Sequence, residues 1–243
     1  MTTVTIPARY NGPPDSANGG WFAGHLARVV LHAQDDDGGR VVSVRLSAPP
    51  PLERELTVST ADDGAIVVRD KSIDGESEIA RARLGGDLGQ PPLDGPVPFA
   101  QAEALRAAYE GREAHPFPTC FSCGTARVDG LQMAAARVPD GTGEYAAAWR
   151  ATDISPEVLW AALDCPGGWS AGIAGRPMVL GTMSARIDEL PAEGEDCVVM
   201  AWPRGSAGRR YESGTAAYGS DGRLLAQAEA TWIAVDPATI RPR

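Results

Sequence analysis

Two stretches of the chain carry apolar residues at helical spacing, and each is followed by runs in which apolar and polar residues alternate. The first, ANGGWFAGHLARVVLHA (17–33), predicts a helix. Strand-like runs follow at RVVSVRLSAPPP, ELTVSTADDG, AIVVRDKSIDG and ESEIARARLGG. The second, SPEVLWAALDCPGGWSAG (155–172), predicts another helix, ended or kinked at Pro166. Four more strand-like runs follow it: PMVLGTMSARIDELP, GEDCVVMAWPRG, RRYESGTAAYGSDG and LLAQAEATWIAV. Asp-Gly pairs at 63–64 and 221–222 stand at matching places and predict hairpin turns. The chain thus reads as an internal repeat, each part a long helix followed by an antiparallel meander. Period-two alternation, as in VSVRL and TAAYG, suits a sheet with one face on a helix and the other near solvent.

Between the parts, residues 85–118 read as a connector. GGDLGQPPLDGPVPF is rich in Gly and Pro, AQAEALRAAYEGR predicts a short amphipathic helix, and HPFPT closes the stretch. A chain of 243 residues can bury a real core in one large or two smaller domains. The net charge of −10 argues against nucleic acid as a partner, because phosphate binding needs a concentrated basic face. No apolar run approaches the roughly 20 residues of a membrane span, and the N-terminal residues lack the basic start and apolar core of a secretory signal. The expected location is the cytoplasm, where thiols stay reduced, so the four cysteines predict no disulfide framework.

Cys120 and Cys123, three apart in CFSCG, raise two chemical options. A structural zinc takes about four ligands, and Cys165 and Cys197 are not spaced as a second pair, although His115 lies nearby. A thioredoxin-like pair sits where a strand runs into a helix; this one precedes an apparent strand, GLQMAAARV. The reading adopted is buried small residues, with no metal, and the metal clip and redox pair stand as the alternatives.

The same stretch resembles the opening of hotdog-fold thioesterases of the phenylacetyl-CoA type, through Cys120, Phe121, Cys123, Gly124 and the later Gly130-Leu131. In that family the central helix starts His-Gly-Gly, and an acid follows nine positions after the His. Asn18-Gly19-Gly20 stands in that place here. The resemblance implies an α+β fold of two fused hotdog units, each a long helix wrapped by an antiparallel sheet. The boundaries it suggests are residues 1–95 and 117–243, with a linker helix at 96–116.

In such proteins the ligand lies between two units. The resemblance implies that a thioester carbonyl points at the open N-terminus of one helix, whose free N–H groups stabilise negative charge. A carboxylate of the other helix acts as base or nucleophile. It cannot serve its own helix start, since nine residues place it about 13 Å away. Nine residues after Asn18 stands Ala27, so the first helix lacks the acid. Asp164 occupies the acidic position of the second helix, but Ser155-Pro156-Glu157 replaces the glycines nine residues earlier. Each helix keeps the half that the other lost, which predicts one composite site per chain: Asn18, Gly19 and Gly20 facing Asp164. The plainer roles are an N-cap for Asn18, a turn for the glycines, and a local backbone bond for Asp164.

The implied activity is hydrolysis of a small-molecule acyl thioester, with coenzyme A as part of the substrate and no cofactor. A non-catalytic acyl-binding module and a hydratase or dehydratase are the other readings. Trp21, Trp160 and Trp169 either line an acyl pocket or pack in the core; His25 either reaches the pocket or packs. Arg209 and Arg210, with Arg204, either hold coenzyme A phosphates or sit in a solvated loop. A fused pair already completes one interface, which allows a monomer; back-to-back pairing of such units implies a homodimer as the other reading.

Overall fold

Asn18 is the residue that starts the first helix. Its side-chain oxygen accepts the Trp21 N–H at 2.8 Å, capping α1 (Gly19–His32). Ser155 does the same for α3 (Pro156–Ser170), accepting from Val158 N–H at 3.2 Å, with Pro156 preset for the first turn. The computed structural model describes residues 2–34, 39–72, 77–139 and 141–236. The hairpin end of AIVVRDKSIDG therefore lies outside the described residues. The strands are β1 (Thr2–Thr5), β2 (Val42–Leu46), β3 (Glu55–Thr60), β4 (Ile66–Asp70), β5 (Ser77–Leu84), β6 (Ala136–Arg137) and β7 (Tyr145–Arg150). After α3 come β8 (Met178–Ile187), β9 (Asp196–Ala207), β10 (Arg210–Tyr218) and β11 (Leu224–Ala234). A short helix, α2 (Phe99–Leu105), lies in the connector.

All these strands form one antiparallel sheet in the order β1-β3-β4-β5-β2-β8-β11-β10-β9-β7-β6. The order runs alike inwards from both edges. β3, β4 and β5 form a meander that returns β5 beside β2, and β9, β10 and β11 return β11 beside β8. The strand after each long helix is therefore not the neighbour of the next one in sequence, as a plain meander would have it. It lies at the centre, where β2 and β8 pair through Val42–Ala185 to Arg45–Thr182. The expected Asp-Gly turns are present: Gly64 and Gly222 have φ of 79° and 82°, which favour glycine.

α1 and α3 lie side by side against the sheet and share one core with its inner face. They run antiparallel at very short range. A β-carbon on Gly20 would stand 2.7 Å from the Trp160 carbonyl oxygen, and one on Gly24 would stand 2.9 Å from the Glu157 α-carbon. Two bare glycines one turn apart thus let the helices touch along their backbones. Further along, Arg28 Nε meets Glu157 at 2.8 Å, and His25 Nδ1 lies 3.8 Å from the same carboxylate.

Four expectations change. α3 does not end or kink to a stop at Pro166 but continues to Ser170; its residues from Glu157 to Ser170 are all buried, and packing holds a helix that propensity would break. GLQMAAARV yields only the two-residue β6. The outer face of the sheet is not uniformly near solvent. Ala102 of α2 is buried there against Ala146, Ala148, Val198, Met200, Trp202 and Ala216. The predicted connector helix is also shorter, since α2 gives way to 3-10 turns at 106–108 and 110–112.

One outcome follows from this packing. Ala is favoured over Gly within a helix by about 1 kcal/mol, yet overpacking costs about 1–3 kcal/mol. At Gly24 the obstacle is backbone, so Gly24→Ala is expected to lower unfolding stability by ~1–2 kcal/mol in denaturant titrations. A gain would show that the helices have room.

At the far end of the sheet, Glu195 accepts two bonds from Arg223, at 2.7 and 3.0 Å, and the N–H groups of Ala192 and Ser220, each at 2.9 Å. The Arg223 bonds, followed by those backbone donors, hold its carboxyl down at about 2. A depressed value means stability present above the ordinary carboxylate range and lost as pH falls towards 2. The stability difference between wild type and Arg223→Ala should therefore be full at pH 6 and shrink steadily below pH 4.5. A difference independent of pH would assign the effect of Arg223 to packing.

Candidate functional site

The antiparallel contact of α1 and α3 brings Asp164 to the N-terminus of α1. Asp164 Oδ2 accepts the Gly20 N–H and the Asn18 Nδ2–H, each at 2.9 Å. Asn18 therefore does two jobs at once: its oxygen caps the helix and its amide nitrogen holds the acid. Asp164 Oδ1 is buried and has no hydrogen-bond partner among the described residues. Only 3% of the residue is exposed, and that burial, aided by the Cys120 sulfur's charge, pushes its pKa up to about 7 against the pull of its two donors. The end of α3 has no part in this, because Asp164 sits in the middle of that helix; the nearest helix end is the positive one of α1.

The two glycines have different roles. Gly20 is bare so that α3 can approach: a β-carbon there would stand 2.4 Å from Asp164 Cβ. Its N–H is already engaged. Gly19 lines an adjoining cavity, and its N–H, the first of the helix, has no acceptor among the described residues. The cavity is about 230 Å³. Asn18, Gly19 and Asp164 form its polar end, and Leu46, Phe117, Trp169, Ile173, Leu180 and Trp232 are among its apolar walls.

Three sulfurs complete the polar end. Cys120, Cys123 and Cys165 lie with all their sulfurs within 4.8 Å of one another, and Cys120 and Cys165 are 3.7 Å apart. Asn18 Nδ2 is 3.8 Å from the Cys120 sulfur and 3.9 Å from that of Cys165. Cys120 is held well below the ordinary thiol value by hydrogen bonds from Cys123 and Cys165, and by the N–H groups of Cys123 and Ser122. His115 stands behind them. Its Nδ1 accepts the Phe117 N–H at 2.9 Å and its Nε2 is 3.1 Å from the Cys123 carbonyl.

No protein-family model matches the chain, and no curated protein matches it in sequence. Solved structures do. A hotdog-fold protein of unknown function from Alicyclobacillus acidocaldarius is similar over 97% of this chain and 93% of its own, at 12% identity and a TM-score of 0.61. Acyl-CoA thioesterase II TesB2 from Mycobacterium marinum is similar over 97% and 93%, at 12% identity and a TM-score of 0.57. GphF Dehydratase 1 is similar over 96% and 92%, at 14% identity and a TM-score of 0.59. Thioesterases recur among the matches. The chain has the hotdog fold. At these identities the likeness speaks for the fold, so chemistry must be argued from the residues.

Of the residues singled out in the sequence, Asn18, Gly19, Gly20 and Asp164 come together, and Trp169 lines the same cavity. The others stand elsewhere. Trp21 stacks on Tyr10 with ring centres 4.1 Å apart, and Trp160 is buried against Gly24. His25 faces Glu157. Arg209 and Arg210 are exposed at the β9–β10 turn, and Arg204 pairs with Glu229. Sequence reading set the third sulfur, Cys165, aside on its spacing, although it is the residue after Asp164; it passed over Trp232 and Leu180, which carry no signal beyond strand alternation.

Asn18→Ala removes the cap and leaves Asp164 with one donor. A loss of ~1–2 kcal/mol in unfolding stability is expected. Asn18→Ser restores a capping oxygen and should recover part of it. Equal losses for both variants would place the weight of Asn18 in its amide nitrogen alone.

Proposed function

We propose that the chain is two fused hotdog units, residues 1–95 and 117–243 with a linker at 96–116, and that it hydrolyses an acyl thioester such as an acyl-CoA at one composite site. The mirrored strand order supports the two-unit reading. The observation that carries the functional reading is Asp164, buried beside the start of the opposite helix with one oxygen unpartnered at a cavity.

The chemistry runs as follows. The acyl group lies along the apolar walls, with its carbonyl oxygen towards the Gly19 N–H. A helix start is suited to growing negative charge, through its free N–H and its dipole. Asp164 Oδ1 takes a proton from a water that adds to the carbonyl carbon. The tetrahedral intermediate then expels the thiolate, and Asp164 returns the proton to it. Asn18 cannot carry a proton, so Asp164 serves in both directions. No metal or organic cofactor enters these steps. The four cysteines are free and buried, which supports a reducing, cytoplasmic setting. No helix among the described residues is long and apolar enough to cross a membrane.

Asp164→Asn keeps the shape and removes the base. On a panel of acyl-CoAs of graded chain length, kcat should fall by ~100-fold or more. Equal turnover by the variant would refute the assignment. Thermal stabilisation by acyl-CoA without turnover would favour a binding module. Dehydration of a 3-hydroxyacyl thioester, which the dehydratase likeness suggests as a control, would favour that class.

A further inference from the structure

We propose that Cys120, Cys123 and Cys165 form a three-sulfur site for a thiophilic divalent cation, with zinc as the natural occupant. Counting along the sequence finds only one pair of ligands, and packing was the expected role of these residues. The fold supplies the third sulfur, since α3 carries Cys165 beside Asp164 into the loop that holds CFSCG.

The spacing fits. Two sulfurs on a tetrahedral zinc, each at about 2.3 Å, stand roughly 3.8 Å apart. Cys120 and Cys165 are 3.7 Å apart, and Cys123 completes the triangle within 4.8 Å. One pair thus stands at ligand separation, and the third sulfur lies near enough to close on the same ion.

The loop is shaped around the sulfurs. The Gly124 N–H closes the turn on the Cys120 carbonyl at 2.8 Å. A β-carbon at Gly124 would stand 2.5 Å from that oxygen and 2.6 Å from the Pro118 carbonyl, so only glycine fits there. Further donors surround the site. Asn18 Nδ2 reaches two of the sulfurs. The Trp169 indole N–H, on the wall of the same cavity, is buried with no hydrogen-bond partner among the described residues. Donors placed around sulfur are what a metal-bound thiolate requires of its outer shell.

His115 is a supporting residue and not a ligand. Its Nδ1 is taken by the Phe117 N–H, which fixes the proton of the neutral ring on Nε2, facing the Cys123 carbonyl. Both nitrogens are spoken for, and the ring fixes the loop. The three cysteines line the cavity, so an ion can reach them and its fourth position faces that space. As zinc binds, each sulfur that still holds a proton releases it. Three clustered thiolates without a cation would carry a heavy burial penalty, which zinc offsets. The proposal stands apart from the hydrolase reading, since it needs no turnover.

The test uses the full chain in a non-chelating reductant, stripped of metal and titrated with zinc against a chromophoric chelator. One ion per chain is expected. Cobalt should give the sulfur-to-metal charge-transfer band and the intense visible absorption of a tetrahedral thiolate site. Cys123→Ser and Cys165→Ser should each weaken zinc binding by at least ~100-fold, beyond the usual cost of an outer-shell partner. Cys197→Ser, whose sulfur is buried in β9 away from the cluster, should bind as wild type does. Circular dichroism of each metal-free protein confirms that it is folded before titration. Binding of no stoichiometric ion by the folded wild type, unchanged affinity in the two cluster variants, or a weak octahedral cobalt spectrum would overturn the proposal.

Discussion

The contact on which everything else depends is the approach of two helix backbones at Gly20 and Gly24. A β-carbon at either place would stand within 3 Å of α3, which would have to move away. Since Asp164 reaches Gly20 N–H and Asn18 directly at 2.9 Å, such a displacement would dissolve the polar end of the cavity. The same approach delivers Cys165 to Cys120. Packing and chemistry are here one constraint: the helices must touch closely for the acid, the amide and the sulfurs to meet.

That closeness has an energetic cost, which the surroundings offset. A buried carboxyl loses solvation, and two donors replace only part of it. Holding the acid on one oxygen leaves the other free, in a cavity whose walls are largely apolar. The capping amide of Asn18 ties the two requirements together, because the same side chain fixes the start of α1 and the position of the acid on α3.

Much of the fold was legible in the sequence. The two helices, the turn at each Asp-Gly pair and the repeated order of elements follow from periodicity and turn chemistry, which are local. The pairing of Asn18, Gly19 and Gly20 with Asp164 was legible through the resemblance to hotdog thioesterases, whose pattern each helix keeps in part. What escaped were properties of the assembled sheet. No local signal says that β2 and β8 form the central seam, or that α2 covers Ala146 and Met200 on the outer face. Pro166 misled because its ring breaks isolated helices, whereas here burial on every side of α3 outweighs it. Gly20 was expected to make room for a ligand; it makes room for Asp164. Cys165 was counted as an unspaced cysteine because sequence spacing cannot measure distance between a loop and a helix.

The central seam of β2 against β8 joins both long helices in a single polypeptide. In an assembly of identical subunits, any change in one helix would appear in its twin, and a paired centre would have to improve or fail twice over. Here the partners are encoded separately. On the two-unit reading proposed above, one rod need carry only the acid and the other only the open tip. The contact around Gly24, Trp160 and Glu157 is then left to serve as a purely mechanical joint.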